Sequence, residues 1–183
     1  MLICAVEITT ILASANPSSP LSKEPILSLF VWDGGKPDNL RMSNGNTIGL
    51  ILMMLGTGIR LITFRHLGRF FRFEASIQKD HKLIVSGPYA VVRHPSYTAM
   101  VFLLMGWLFW QMSKGSWIIE SGLWNMILGK ILVLTYIAFF IIGPSLLIVT
   151  RISDEDAALR AHFGKKWDDW AKDVPYAIFP GIY

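Results

Sequence analysis

The 183-residue chain contains little cysteine and little charge. Its single cysteine, Cys4, can form neither a disulfide framework nor a multi-thiolate metal site within the chain. Charged residues make up only 16% of the sequence and hydrophobic residues 52%, whereas an ordinary soluble domain averages roughly 25% charged residues. The four histidines show no metal-ligand spacing, so no metal is expected. This composition argues against a soluble domain and indicates a helical membrane protein whose partner is the lipid bilayer; no nucleic-acid partner is expected.

The basic residues are concentrated in one connection between apolar segments. The opposite connection, residues 113–122, contains only Lys114. Loops rich in Lys and Arg stay on the cytoplasmic side of a membrane, so the basic connection is predicted to be cytoplasmic. Its six basic residues are Arg65, Arg69, Arg72, Lys79, Lys82 and Arg93.

Four apolar segments are expected to form membrane helices: residues 1–15, 47–64, 95–112 and 123–150. A helix of 18 residues rises about 27 Å, which approaches the roughly 30 Å of a hydrocarbon core. The first segment lacks the basic start and the cleavage site of a signal peptide, so we interpret it as a short helix. The predicted fold class is therefore all-α, a polytopic helical membrane protein with about four membrane helices.

The connections suggest how the chain is organised. Residues 16–46 are rich in turn formers and are predicted to form a luminal loop. We expect one domain, residues 1–183, in which residues 1–45 form a variable N-terminal helix and loop and residues 46–183 form the core. Gly49 and Gly56 offer small surfaces for close helix packing, and Pro144 is expected to kink the last membrane helix.

A further helix, beyond the four membrane helices, is predicted after Arg151. Apolar residues recur there at spacings of three and four, which is typical of an amphipathic helix. Its polar face would lie in the cytoplasm. The apolar stripe consists of Leu159, Phe163, Trp167, Trp170 and Val174.

The sequence Arg93-His94-Pro95-Ser96-Tyr97 lies at the threshold of the third apolar segment, shortly after Gly87-Pro88-Tyr89. Proline suits the first turn of a helix, so the helix is predicted to begin at Pro95. One interpretation is a turn followed by a basic and aromatic membrane anchor. The other is a cofactor pocket, in which backbone N–H groups at the helix start bind a carboxylate and a tyrosine contacts an aromatic base.

Two further features carry alternative interpretations. Ser153 and Asp156 fit a helix capping box, but the carboxylates of Glu155 and Asp156 can also bind an amino group or a ribose hydroxyl. Arg151 can hold an anionic substrate. Arg60 lies inside an apolar segment, where an arginine either extends to the interface or takes part in chemistry.

Together these motifs resemble the isoprenylcysteine carboxyl methyltransferase family, in a form similar to the fungal members. The resemblance spans the chain from about Arg60 to the C-terminus. The matching motifs are Gly87-Pro88-Tyr89, Arg93-His94-Pro95-Ser96-Tyr97, Arg151 with Glu155-Asp156, Leu159, Phe163-Gly164, Trp167 and Trp170.

The resemblance implies methyl transfer from S-adenosyl-L-methionine to the C-terminal carboxylate of prenylated cysteine in CaaX proteins, at the endoplasmic reticulum membrane with the site facing the cytoplasm. It implies a catalytic group of Arg60, Arg151 and Tyr97. The prenyl chain is expected to enter between the second and third helices. The residues implied to bind the cofactor are Gly87, Tyr89, His94, Pro95, Tyr97, Glu155 and Asp156.

The chain departs from the family pattern at three places, one of which is Asp154-Glu155-Asp156 where a run of glutamates is commoner. Ala99 stands where members usually have glycine, and the extra methyl group would narrow the cofactor pocket or shift helix packing. Family members generally carry additional membrane helices before the position of Arg60. Three other functions therefore stay open: a phospholipid (phosphatidylethanolamine) N-methyltransferase, a relative of sterol reductases, and an inactive truncated membrane paralogue.

Overall fold

The computed structural model describes residues 2–15, 28–68 and 82–182, and within these ranges it contains helices and no strand. Arg69, Arg72 and Lys79, which belong to the basic connection, lie outside the described residues. The α-helices are α1 Leu2–Ala15, α2 Asn44–Leu67, α3 Pro95–Met112, α4 Trp117–Glu120, α5 Ile127–Phe163 and α6 Lys165–Asp173. Short 3-10 turns cover Pro37–Asn39, Gly87–Ala90 and Leu123–Asn125.

Helices α2 and α3 form for reasons visible in the sequence. Helix α3 begins at Pro95 and ends at Met112, as predicted, since proline lacks the N–H that would have no partner in the first turn. Helix α2 begins three residues earlier than predicted, at Asn44. The Ser43 hydroxyl donates to Asn46 Oδ1 at 2.7 Å and accepts from the Asn46 N–H at 3.4 Å, which satisfies one otherwise unpaired donor of the first turn.

Helix α5 corrects two expectations. It begins at Ile127 rather than residue 123, because Leu123–Asn125 forms a separate 3-10 turn. It then continues for 37 residues to Phe163, so Ser153 and Asp156 lie inside the helix and the capping-box interpretation is wrong. Strong helix formers such as alanine, leucine and arginine follow Asp156, and they propagate the existing helix. The break comes at Gly164, whose φ of +53° ends α5.

The predicted C-terminal amphipathic helix is present but shorter than expected. Helix α6 starts at Lys165 and ends at Asp173. Trp170 of α6 and Val174 just beyond it are buried, whereas Lys172 is exposed. The apolar stripe therefore faces the protein interior at its C-terminal end.

Among the described residues, α2 and α5 are long and apolar enough to cross a membrane. Only 17% of the most apolar window of α2 and 11% of that of α5 is buried. A core helix of a soluble protein would hide such a window, so the exposed apolar surfaces of these two helices suit contact with lipid. The other two predicted membrane helices correspond to α1 and α3, which do not meet this test, so the number of four membrane helices stays a prediction.

The chain divides into two compact units. The first contains residues 1–51 and 105–140, and the second contains residues 52–104 and 141–183. Each has its own apolar core: Trp117, Ile118 and Val133 in the first unit, and Tyr97, Ile148, Ile152 and Ala177 in the second.

In the first unit, two contacts join distant segments. A Cβ atom added to Gly49 would lie 2.6 Å from the Gly106 carbonyl oxygen and 2.9 Å from the Trp110 nitrogen, so the backbones of α2 and α3 touch there. The buried Glu7 carboxylate accepts hydrogen bonds from Trp110 Nε1 at 3.4 Å and from the Trp117 N–H at 3.3 Å. These two donors account for the burial of an acid within apolar α1.

In the second unit, Gly56 plays the role predicted for it. A Cβ atom there would lie 2.7 Å from the Ala99 carbonyl oxygen, and Ala99 itself is fully buried. Ala99 therefore serves helix packing. The same contact closes the space between α2 and α3 at this level, so the prenyl path predicted between these helices does not pass Gly56.

Candidate active site

The residues before α3 are held by the C-terminal segment of the chain. The Arg93 N–H donates to the Tyr176 carbonyl oxygen at 2.9 Å, and the His94 N–H donates to the Ala177 carbonyl oxygen at 2.8 Å. The Thr98 hydroxyl donates to the Ile178 carbonyl oxygen at 2.6 Å. This ladder fixes the position of His94 against the end of the chain.

His94 lies between two carboxylates at the end of α5. Its Nε2 atom is 2.8 Å from Asp156 Oδ1, and its Nδ1 atom is 3.4 Å from Glu155 Oε2. The imidazole is 5% exposed, so both interactions occur largely out of water. A histidine whose two ring nitrogens both face carboxylates is best satisfied as the doubly protonated imidazolium.

The electrostatics of His94 favour the charged form. Burial alone would lower its pKa, but the hydrogen bonds to Asp156 and Glu155 and the charges of these two residues outweigh burial. The pKa of His94 is therefore raised above its ordinary value of 6.5. The two acids thus favour the protonated form of His94 at this site.

Tyrosines complete the surroundings of Glu155. The Tyr97 hydroxyl donates to Glu155 Oε1 at 2.5 Å. Burial raises the pKa of Tyr89, and the nearby charge of Glu155 and the neighbouring Tyr97 raise it further. The Tyr89 phenol therefore stays protonated and remains a hydrogen-bond donor. Its backbone carbonyl oxygen accepts from Trp170 Nε1 at 3.3 Å, which attaches the Gly87–Ala90 turn to α6.

Arg93 links Asp156 to the C-terminal segment. One terminal nitrogen lies 3.5 Å from Asp156 Oδ2, and the other donates to the Val174 carbonyl oxygen at 3.1 Å and to the Pro175 carbonyl oxygen. Sequence reasoning placed Arg93 in the motif but gave it no role in the site. The sequence signal for such a role was that Arg93 directly precedes His94 in the motif. Its backbone partners, 81 and 82 residues away, have no sequence signature.

Gly87 is required by the geometry of its turn. Its φ is +63°, a conformation that favours glycine, and a Cβ atom there would lie 2.2 Å from His66 Nε2. His66 is in turn fixed on α2 by its Nδ1 atom, which lies 2.8 Å from the Ile62 carbonyl oxygen. The imidazole of His66 was not anticipated from the sequence, and it supports the turn that carries Tyr89.

The two candidate catalytic arginines occupy different surroundings. Arg151 lies close enough to Tyr97 to interact with its hydroxyl, so it belongs to the cluster at the end of α5. Arg60 lies on α2 with its guanidinium 5.0 Å from the ring centre of Phe64. The structure records no bond between Arg60 and the cluster within the described residues, so its substrate role stays a prediction. Pro95 is fully buried at the start of α3, where it shapes the backbone.

The residues present suit S-adenosylmethionine. Arg93 Nε and Trp167 Nε1 are buried donors without a hydrogen-bond partner in the described part of the chain. Buried donors normally have a partner, and a carboxylate group of a ligand would supply one. Glu155 and Asp156 offer carboxylate oxygens as acceptors for an ammonium group or for ribose hydroxyls. These same carboxylates also interact with His94, Arg93 and Tyr97.

A comparison with known protein families covers the part of the chain that contains this site. The family model described as phospholipid methyltransferase matches residues 45–166, which include Gly87, His94 and the acidic pair of α5. The chain is 30% identical over 132 residues to a protein-S-isoprenylcysteine O-methyltransferase of Rattus norvegicus, covering 71% of this chain and 39% of that protein.

Two fungal relatives extend the comparison. A Schizosaccharomyces pombe protein-S-isoprenylcysteine O-methyltransferase is 30% identical over 129 residues, which cover 63% of this chain and 46% of that protein. A delta(14)-sterol reductase of Ascobolus immersus is 33% identical over 104 residues, which cover 56% of this chain and 19% of that protein.

The comparisons confirm the resemblance to isoprenylcysteine methyltransferases. The chain spans less than half the length of the rat and fission-yeast relatives. The matched region contains both halves of the site, the motif before α3 and the acidic end of α5, and it covers more than half of the chain. The chain belongs to the phospholipid methyltransferase family.

Proposed function

We propose that this protein transfers a methyl group from S-adenosyl-L-methionine to the C-terminal carboxylate of a prenylated cysteine, giving a methyl ester. One observation carries the proposal: His94 and Tyr97 from the start of α3 meet Glu155 and Asp156 from the end of α5. The motifs that resemble the isoprenylcysteine methyltransferases thus come together in one cluster, and relatives named for that activity match more than half of this chain.

The cluster is assigned to the cofactor. When bound, S-adenosylmethionine supplies a methyl group on a positively charged sulfur. Glu155 and Asp156 place negative charge where a cationic ligand would be stabilised, and the protonated phenol of Tyr89 offers a donor. The Gly87 turn and the buried Pro95 shape the backbone around these groups. Arg93 Nε and Trp167 Nε1 are the donors we assign to the cofactor carboxylate.

The arginines are assigned to the acceptor carboxylate. A cysteine α-carboxylate is ionised at neutral pH, so the reaction needs no general base. The protein must instead hold one carboxylate oxygen, leave the other free to attack, and exclude water. A guanidinium keeps its charge and its planar geometry, which suits this task. Arg151, beside Tyr97, and Arg60 on α2 are the residues proposed for it.

Helix lengths support the proposed membrane setting. Helix α5 has 37 residues and is about 55 Å long, longer than a hydrocarbon core of roughly 30 Å. Its C-terminal end, with Glu155 and Asp156, therefore extends beyond the lipid. We propose that α1 and α3 join α2 and α5 as membrane helices, with this end cytoplasmic at the endoplasmic reticulum and prenylated CaaX proteins as substrates.

A phospholipid N-methyltransferase is the second candidate, favoured by the description of the family model that matches residues 45–166. It would use the same cofactor site. Its acceptor is a neutral amine, so an arginine that holds a carboxylate would give no advantage.

A radiolabelled methyl-transfer assay in membranes distinguishes the two candidates. N-acetyl-farnesylcysteine and phosphatidylethanolamine are offered separately, and base-labile label in the farnesylcysteine product identifies the ester. We expect Arg60→Ala to lose most of this activity, whereas Arg65→Ala, an exposed arginine of the same helix, keeps it. Label in phosphatidylethanolamine alone, unaffected by Arg60→Ala, would identify the second candidate. No label in either acceptor from a folded protein would reject both.

A further inference from the structure

An open cavity of about 370 Å³ lies in the first unit, and its lining includes no residue of the candidate active site. Its lining includes the segment before α2 and the segment after α3. Arg41 contributes from the first segment and Lys114 from the second, together with Asn39, Ser43, Asn44 and Glu120. A volume of this size suits a small ligand or a headgroup rather than a single ion.

Two cations of the cavity lack partners. Arg41 and Lys114 are both exposed, and neither makes an ion pair or a side-chain hydrogen bond with another described residue. Glu120, the acid of the lining, forms no ion pair with either cation among the described residues, and the three charges leave the lining with one net positive charge. Its Oε1 atom accepts from the Gly115 N–H at 3.0 Å, and its Oε2 atom accepts from Asn39 Nδ2 at 3.3 Å.

Backbone donors add to the positive character of the cavity. The Ser43 hydroxyl and carbonyl oxygens accept the N–H groups of Asn46 and Thr47. The preceding N–H groups, those of Asn44 and Gly45, have no recorded acceptor in the described ranges, as is usual for the first turn of a helix. Two cations from separate segments and the free amide of Asn44 therefore line one space, a combination that binds phosphate oxygens.

The surroundings indicate where the phosphate comes from. Met42, in the lining of the cavity, is 58% exposed, and Ile48, Leu50 and Ile51 on α2 are exposed apolar residues as well. A ligand with a phosphate headgroup and an apolar tail would match both surfaces at once. We propose that this cavity binds the phosphodiester headgroup of an anionic phospholipid, with Arg41 and Lys114 as the residues that hold the phosphate.

The test uses the full chain purified in a neutral detergent. Binding of phosphatidylglycerol is measured by native mass spectrometry, with inorganic phosphate and phosphatidylcholine in separate arms. We expect phosphatidylglycerol to bind more tightly than phosphatidylcholine. Arg41→Gln combined with Lys114→Gln is expected to weaken binding by on the order of tenfold or more, since each charged hydrogen bond contributes substantially.

The matched control is Arg65→Gln combined with Lys130→Gln, which removes one arginine and one lysine from exposed positions outside the cavity. The control should bind phosphatidylglycerol like the unaltered protein. Release of bound lipid by inorganic phosphate at millimolar concentration would support a phosphate site while assigning it to a soluble ligand. Equal affinity in the two double variants, or no preference for phosphatidylglycerol over phosphatidylcholine, would overturn the proposal.

Discussion

The substitution Asp156→Asn tests the ionic cluster at the start of α3. Asparagine has nearly the volume of aspartate, and its side-chain oxygen can still accept a hydrogen bond from His94 Nε2. In the unaltered protein this nitrogen lies 2.8 Å from Asp156 Oδ1. What it loses is the negative charge that faces His94 and Arg93. A hydrogen bond to a charged group contributes about 1.5 to 3 kcal/mol. Arg93 keeps the Val174 and Pro175 carbonyl groups as partners, so its contact with Asp156 adds less.

The expected change is measurable on heating. For a chain of 150 to 250 residues, a loss of 1 kcal/mol lowers the midpoint of unfolding by about 2 to 4 °C. We therefore expect Asp156→Asn to lower it by roughly 3 to 12 °C. The assay is tryptophan fluorescence of the detergent-purified protein during heating, for which the seven tryptophans provide the signal.

Asp154→Asn is the matched control, because it removes the same charge from an exposed side chain two residues away on α5. The structure records no ion pair for Asp154 among the described residues. Its midpoint should stay near that of the unaltered protein. Equal midpoints for the two variants would refute the reasoning, since they would show that the charge beside His94 adds nothing to stability.

Three further predictions concern pH and glycine contacts. The pKa of His94 is raised in the folded protein, so protonated His94 stabilises the fold fully below pH 6.5, and this stabilisation is lost as pH rises through the folded pKa. The unfolding midpoint of His94→Gln should therefore depend less on pH in this range than that of the unaltered protein. Gly87→Ala, at φ +63° and against His66, should cost about 1 to 2 kcal/mol or more in thermal unfolding. Gly49→Ala should also lower the midpoint, since its Cβ atom would meet backbone atoms, whereas Gly58→Ala, with open space around it, serves as the control for both glycines. Equal midpoints for the three glycine variants would contradict these contacts.

Local sequence signals predicted the parts of the fold that depend on neighbouring residues. Proline at the first helical position placed the start of α3 correctly at Pro95. Gly49 and Gly56 of α2 predicted close packing, because a glycine has no side chain to keep a neighbouring helix away. That α5 continues past Ser153 was not predicted, since Ser153 and Asp156 suit the start of a helix and its interior almost equally. In the structure the helix that precedes them extends through both residues.

The candidate site was predicted in its residues but not in its connections. The motifs named His94, Tyr97, Glu155 and Asp156, which the structure brings together. The hydrogen bonds from Arg93 and His94 to the segment 174–177 join residues more than 80 positions apart. Backbone carbonyl groups are present at every residue, so no pattern of side chains marks which of them will accept these bonds.

The most direct test of the central claim is a calorimetric titration of purified, folded protein with S-adenosylhomocysteine, the product form of the proposed cofactor. We expect saturable binding to the unaltered protein, binding weakened by on the order of tenfold in Glu155→Gln, and unchanged binding in Asp154→Asn. Absence of binding to the folded protein, or equal binding by Glu155→Gln and the unaltered protein, would contradict the assignment of the acidic end of α5 to the methyl donor.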